Sequence, residues 1–233
     1  ALVGLSARTV QRWQNPAQDS DRRVAGIYRA DLWSMSDHYV EVWVESRSLA
    51  GVLEATCDDL AVSLYPSGGF SSLTLTFEAA RHINEVFQYT GKQEAHILYV
   101  GDYDPAGVHI DRDIEAKLRR HLKPNIQLDF LRLGINPEQI HEYDLPTKPR
   151  KEGERRRVDI EMTVEAEAMP AGILRELLRE SVEQYLPEGA LKAAKVAEES
   201  EREGLYLLAK GLRSAALSGP PVNFDESDED EEL

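Results

Sequence analysis

Four apolar segments that alternate with helical patterns constrain the fold of this chain most strongly. Each is rich in β-branched or aromatic residues, as buried strands are. They are HYVEVWVES (38–46), LAVSLYP (60–66), HILYVGD (96–102) and IQLDFLRLG (126–134). The segments between them carry apolar residues at helical spacing, at 48–59, 72–91 and 105–122. This alternation predicts an α/β fold with a four-stranded, mainly parallel sheet flanked by helices.

The rest of the chain predicts C-terminal helices and two polar ends. Amphipathic patterns at 169–186 and 188–217 indicate two helices, the second packing through Leu205, Leu207 and Leu208. The last residues are too polar and acidic to bury a core. We therefore expect four regions: an N-terminal helical arm (1–37), the α/β domain (38–147), a basic loop with a C-terminal helical extension (148–217) and a disordered acidic tail (218–233).

The charge distribution bears on nucleic acid as a partner. A net charge of −15 argues against it, because binding to phosphates depends on Lys and Arg. However, seven of the acidic residues lie in the last nine positions, and TKPRKEGERRR (147–157) concentrates cations. This basic run predicts either contacts with a nucleic-acid backbone, through Lys148, Arg150 and Lys151, or a solvated loop.

The cysteine and histidine content limits the kinds of metal site. One cysteine, Cys57, excludes an intrachain disulfide and a thiolate-only site. The six histidines show no HExxH or Cys/His spacing, so we expect no structural zinc and only oxygen ligands for a metal. No apolar run approaches the roughly 20 residues that span a bilayer, and no signal-peptide pattern is present. We therefore expect a cytoplasmic protein with no membrane partner.

Three carboxylates fall at the predicted carboxyl ends of two strands. Glu45 ends the first strand, and Asp102 and Asp104 follow the third in ILYVGDYDPAGVHIDRD (97–113). Ligands of parallel sheets bind beyond this edge. If the two strands are neighbours, about 4.8 Å apart, the three carboxylates converge and repel one another. A hard divalent cation relieves that repulsion, and Mg²⁺, with Mn²⁺ as a substitute, fits oxygen ligands and phosphates best.

A structural interpretation of the same motif stays open. Gly-Asp-Tyr-Asp-Pro can form a tight turn in which Asp104 caps the next helix and Pro105 lies in its first turn. Under the metal interpretation, Gly107 removes a side chain where a phosphate backbone approaches. Glu45 favours the metal site, because a glutamate ending a run as apolar as VEVWV, at the same edge, is an improbable coincidence.

These segments together resemble the Toprim domain of topoisomerases, primases and related nucleases. VEVWVESRSLAGVL, YPSGGFSS, YVGDYDPAGVHIDRDIEAKL and INPEQIHEYDLP are most similar to the Toprim portion of the topoisomerase VI A subunit and its phage and actinobacterial relatives. The resemblance implies a Rossmann-like Toprim fold and a Mg²⁺ site at Glu45, Asp102 and Asp104 that cuts or rejoins DNA phosphodiesters. It also implies a nucleic-acid contact at Arg112 and a supporting role for Asp113.

Departures from the family pattern bear on its cations. Relatives commonly have Glu-Lys-Asp where this chain has Glu-Ser-Arg at 45–47, so that Arg47 would substitute for the lysine in nucleic-acid binding. They also have Arg-Gly-Phe-Ser where this chain has Gly-Gly-Phe-Ser at 68–71. Glu165 and Glu167 alternate as in a strand, and we expect them to support the site.

The resemblance leaves three functions open. We predict a metal-dependent DNA endonuclease that nicks or cleaves. The alternatives are a non-catalytic DNA-binding or interaction subunit, and the catalytic Toprim part of a two-part type IIB topoisomerase. The implied partners are DNA, a second copy of the chain in a homodimer and, for the topoisomerase, an ATPase subunit and a tyrosine domain.

Overall fold

The computed structural model of the protein describes residues 30–68, 73–150 and 160–218. By internal contacts the chain forms two compact units, one of Asp31–Leu191 and one of Ala1–Ala30 with Lys192–Leu233. Several predictions lie outside the described residues. They are most of the N-terminal arm, the glycine-rich turn after Gly68, Lys151 with the basic residues that follow it, and the acidic tail.

A four-stranded parallel sheet forms the centre of the larger unit. Its strands are β1 (His38–Val44), β2 (Ser63–Pro66), β3 (Glu94–Val100) and β4 (Gln127–Gly134). Their spatial order is β2-β1-β3-β4, so β1 and β3 are neighbours. The predicted α/β fold with a four-stranded parallel sheet is confirmed, and the first and third strands meet the condition for convergence of the carboxylates.

Helices connect the strands and flank the sheet. They are α1 (Arg47–Leu60), α2 (Leu73–Thr90), α3 (Gly107–His121), α4 (Pro137–Glu142), α5 (Ala171–Glu183) and α6 (Ala190–Ser218). Between α4 and α5 lie a short antiparallel pair, β5 (Lys148–Pro149) and β6 (Met162–Thr163), and a 3-10 helix (Ala166–Ala168). The predicted C-terminal helices are therefore present.

Alternation along the strands divides the core into two layers. Val40, Val42 and Val44 of β1 pack with α1 and α5, whereas Trp43 packs with α2 and α3 on the other face. Successive side chains of a strand point to opposite faces, so a sheet covered on both faces needs apolar residues at nearly every position. This explains why the strand sequences are continuous apolar runs.

The long C-terminal helix corrects one expectation. Leu207 and Leu208 of α6 were predicted to pack, but they are 57% and 60% exposed. Leu205 is half-buried, so the helical spacing identified the helix but not which of its leucines pack. None of the described helices is both long enough and apolar enough to cross a membrane.

One acidic side chain is completely buried in the sheet. Glu41 of β1 accepts a hydrogen bond from the Tyr39 hydroxyl at 2.5 Å and one from Trp43 Nε1 at 2.8 Å. Burial raises the pKa of Glu41, and the two hydrogen bonds offset only part of that effect. The folded protein therefore holds a proton on this carboxyl group at pH values where the unfolded chain has released it.

Glu41→Gln tests this buried acid. Folding raises the pKa of Glu41. The contribution of Glu41 to stability is therefore full below the pKa of the unfolded chain, about 4.3, and falls as the pH rises towards the pKa of the folded protein. As the pH rises over this range, the unfolding free energy of the variant should increase relative to that of wild type, by at most about 1.4 kcal/mol per pH unit. Urea denaturation at about pH 5 and about pH 8 measures this. The exposed Glu78→Gln is the control, and a difference that does not change with pH would contradict the account.

Candidate functional site

Glu45 and Asp102 meet at the carboxyl edge of the sheet. Glu45 follows the last residue of β1, and its N–H donates to the Val100 carbonyl at 2.9 Å, continuing the pairing of β1 with β3. The Glu45 carboxylate in turn accepts the N–H of Asp102 through Oε2 at 2.8 Å. The two strand ends thus place this carboxylate directly beside the turn that carries both aspartates.

Each aspartate of the turn accepts one backbone N–H. Asp104 Oδ1 accepts from Gly107 at 2.6 Å, at the start of α3, and Asp102 Oδ1 accepts from Ala166 at 2.8 Å. The predicted contact of Asp104 with the next helix is therefore present. The chain bends at Asp104 after an isolated bridge at Tyr103, so the two side chains do not extend from one straight strand.

The segment after β6 brings two more acids to this edge. Val164 pairs with Tyr103 through hydrogen bonds of 2.8 and 3.0 Å, and the 3-10 helix follows. Glu167 in this helix accepts the hydroxyl of Ser46 at 2.7 Å and that of Ser48 at 2.5 Å. The sequence predicted a strand here, but the position of Glu167 beside α1 comes from the tight helical turn.

Several acidic side chains lie close together at this edge and shift one another's pKa values. Burial raises the pKa of Asp102, and repulsion from Glu167, Asp104 and Glu165 acts in the same direction. Burial also raises the pKa of Glu45, with repulsion from Asp102 and Asp104 adding to it. For Glu167 partial burial is outweighed by the serine hydroxyls, which lower its pKa. A divalent cation at this edge would relieve the repulsion.

Arg132 of β4 is a residue of this edge that sequence reasoning missed. Its guanidinium donates to Asp111 at 2.5 Å, to the Gly101 carbonyl at 3.0 Å and also to the Asp102 carbonyl, and it lies over the Tyr99 ring. It therefore fixes the backbone of the aspartate turn. The signal in the sequence was the single cation within IQLDFLRLG, because a cation in a buried strand needs a partner.

Three residues that were predicted to contact nucleic acid or to support the site lie on α1 and α3. Arg47 is exposed at the first residue of α1, directly after the Glu45 and Ser46 pair. Arg112 is exposed on α3. Asp113, predicted to support the site, binds Lys117 one turn along the same helix at 2.6 Å. Arg47 thus lies at the solvent-exposed start of the helix that follows β1, and Arg112 lies in the second turn of the helix that follows β3.

The start of the basic run lies close to the acids. Lys148 in β5 pairs with Glu165 at 2.8 Å, and both side chains are exposed. The N–H of Arg150 donates to the Glu161 carbonyl at 2.8 Å, which continues the β5–β6 pairing. Lys151 lies outside the described residues. The basic run thus begins next to the segment that carries Glu165.

Two glycines allow the turn to pack this closely. A Cβ on Gly101 would lie 2.7 Å from Glu45 Oε2 and 2.8 Å from the Tyr99 hydroxyl. A Cβ on Gly107 would overlap the Asp102 carbonyl oxygen. The Gly107 position was predicted to make room for a phosphate, and the room that its missing side chain leaves is taken by the chain's own carbonyl.

A second cluster, at the opposite edge of the sheet, was not anticipated. Among the described residues, His38, Glu94 and His96 form the group of three metal-ligating side chains whose atoms lie within 4.8 Å of one another. The three predicted carboxylates do not approach so closely as a set. The histidines are 58 positions apart, so no local spacing reveals them. The signal was that each lies in a strand predicted to join one sheet.

No protein-family model, curated protein or solved structure matches this chain. Function is therefore inferred from the arrangement of the chain's own residues. Two clusters of potential ligands, one at each end of the β1–β3 pair, bear on that function.

Gly101→Ala tests the close contact between Glu45 and the turn. The added methyl group has no space, so we expect a loss of about 1–3 kcal/mol of unfolding free energy. Gly51→Ala is the matched control, because no atom lies within 4 Å of its Cβ position on α1. There we expect a gain of up to about 1 kcal/mol, since alanine favours helix. Equal effects of the two substitutions in urea denaturation would show that the contact is not tight.

Proposed function

We propose that the protein is a Mg²⁺-dependent, Toprim-like enzyme that nicks or cleaves DNA at the carboxyl edge of its sheet. The observation that carries the proposal is the meeting of Glu45 with Asp102 at the ends of adjacent parallel strands, through a hydrogen bond of 2.8 Å. Asp104 follows two residues later. The resemblance of these same segments to Toprim proteins supports the choice of phosphodiester chemistry.

The acids of this edge fit a hard cation. Mg²⁺ prefers oxygen ligands, and the carboxylates of this edge supply them. Glu45, Asp102 and Asp104 each use one oxygen for a backbone N–H in the described part of the chain, so the second oxygen of each is the one available to a cation. When bound, Mg²⁺ or Mn²⁺ would polarise a phosphoryl oxygen and ease deprotonation of a water.

The residues of the chain have distinct roles in this proposal. Asp102 and Asp104 hold the cation. Glu45 is suited to hold or release a proton, because burial raises its pKa towards the working range of a general base or acid. Glu167, kept ionised by two serine hydroxyls, adds negative charge beside Asp102. Arg132 is a positioning residue that fixes the carbonyl of Asp102.

Contacts with the DNA backbone come from separate cations. Arg47 and Arg112 are exposed at the helices that leave this edge, and Lys148 begins the basic run beside Glu165. With a net charge of −15, the chain as a whole repels DNA, so binding depends on these local contacts. Such binding weakens steeply as salt increases.

A non-catalytic DNA-binding or interaction subunit is the second candidate. It is favoured by the structural bonds of the acids, since Asp104 accepts the Gly107 N–H and Asp102 accepts the Ala166 N–H with no metal needed. In that case the acids would persist because they hold the turn. Calorimetric titration separates the two candidates, because only the enzyme requires Mg²⁺ or Mn²⁺ at these carboxylates.

Plasmid cleavage tests the proposed activity. At low salt with Mg²⁺ or Mn²⁺, the purified protein should convert supercoiled plasmid into nicked or linear forms. Asp102→Asn, Asp104→Asn and Glu45→Gln should each lower the rate by about 100-fold or more. Asparagine is a good helix cap, so Asp104→Asn keeps the bond to Gly107 while removing the charge.

Glu78→Gln, an exposed acid on α2, is the control and should cleave at the wild-type rate. Cleavage at the wild-type rate by the aspartate variants would refute the assignment of the site. A wild-type protein that binds DNA but neither cleaves it nor binds Mg²⁺ would establish the second candidate.

A further inference from the structure

The amino edge of the sheet carries a compact triangle of ligand atoms. His38 Nδ1 lies 3.0 Å from His96 Nε2 and 3.5 Å from Glu94 Oε2, and His96 Nε2 lies 3.6 Å from the same oxygen. The first residues of β1 and β3 are register partners, His38 with Glu94, and His96 follows two residues later on β3. Parallel pairing therefore builds the triangle directly.

Two sides of this triangle, 3.5 and 3.6 Å, match a tetrahedral metal site, and the third, the 3.0 Å hydrogen-bonding distance between the two histidines, is shorter. Zinc bonds to nitrogen and oxygen of about 2.0–2.2 Å separate ligand atoms in a tetrahedron by about 3.3–3.6 Å. Octahedral Mg²⁺ requires about 2.8–3.0 Å and prefers oxygen alone. Two imidazoles and one carboxylate are ligands that zinc accepts, and three protein ligands leave a fourth position for water.

Asp129 orients one of the ligands. Its Oδ2 lies 3.3 Å from His96 Nδ1, the nitrogen that faces away from the triangle. With the proton on Nδ1, His96 Nε2 presents its lone pair to the triangle, and a carboxylate on the other ring nitrogen is the usual partner of a metal-binding histidine. His96 is 4% exposed and stacks on Tyr185 with ring centroids 3.9 Å apart, so its orientation is held by packing.

Lys92 fixes the chain that leads into β1, and the other two ligands remain reachable from solvent. Lys92 Nζ donates to the carbonyls of Trp33, Ser36 and His38 at 2.7–2.9 Å, which fixes the entry into β1. The positive charge of Lys92 thus faces backbone carbonyl oxygens. The His38 and Glu94 side chains are 34% and 38% exposed, so an ion can reach the triangle without opening the core.

We propose that His38, Glu94 and His96 bind zinc, or a similar divalent transition metal, in a three-ligand site separate from the acids of the carboxyl edge. The metal joins the starts of β1 and β3. The ligands converge only when the two strands pair, so metal binding is coupled to folding and stabilises the sheet.

Cobalt(II) is the probe for this site. Chelator-treated protein should bind Co²⁺ at this site with the intense visible absorption of a four-coordinate ion, and zinc should displace it and raise the Tm. His38→Ala and Glu94→Gln should each weaken the affinity by about tenfold or more, and Asp129→Ala by about tenfold. His141→Ala, an exposed histidine on α4, should leave the affinity unchanged. Asp102→Asn should also leave it unchanged, which separates this site from the carboxyl edge.

Two results would overturn the proposal. One is wild-type protein that binds neither cobalt nor zinc at micromolar concentrations. The other is undiminished affinity in both His38→Ala and Glu94→Gln. Both substitutions are at partly exposed side chains, so circular dichroism should show a native fold, whereas a change at the buried His96 would confound binding with unfolding.

Discussion

The parallel pairing of β1 with β3 is the constraint on which the rest of the structure depends. Seven consecutive pairs run from His38 with Glu94 to Val44 with Val100. One register therefore decides what meets at both ends of the two strands. A slip of one residue would exchange the faces of a strand and separate Glu45 from Asp102. Because both faces of the sheet are buried, such a slip would also expose the apolar core and is strongly disfavoured.

The two ends of this strand pair carry different donor chemistry. The carboxyl edge offers carboxylate oxygens, in acids that burial and mutual repulsion make costly to ionise. The amino edge offers two imidazole nitrogens and one carboxylate. Ligand type is the main means by which proteins separate hard cations such as Mg²⁺ from zinc. On the two proposals above, the two ends of one strand pair would bind different kinds of ion.

Periodicity in the sequence was sufficient for the four strands of the main sheet and the helices between them, but not for their contacts. The apolar runs identified β1 to β4, and the position of Glu45 at the end of VEVWV correctly pointed to the edge where it meets Asp102. Arg132 was missed, and Glu167 was expected to support the site but in a strand, because their contacts are non-local bonds to a turn and to α1. The histidine cluster was missed for a similar reason. Local spacing of histidines cannot show that the sheet register brings distant residues together.

Metal-directed cleavage of the backbone tests the central claim, that the acids of the carboxyl edge hold a divalent cation. Fe²⁺ bound in place of Mg²⁺, with ascorbate and peroxide, cuts the chain nearest to the ion. The account predicts cuts beside Glu45, Asp102 and Glu167 that excess Mg²⁺ suppresses and Asp102→Asn weakens. Zinc should suppress only cuts near His38 and His96. Absence of cuts at the carboxyl edge, or cuts there that neither Mg²⁺ nor Asp102→Asn affects, would contradict it.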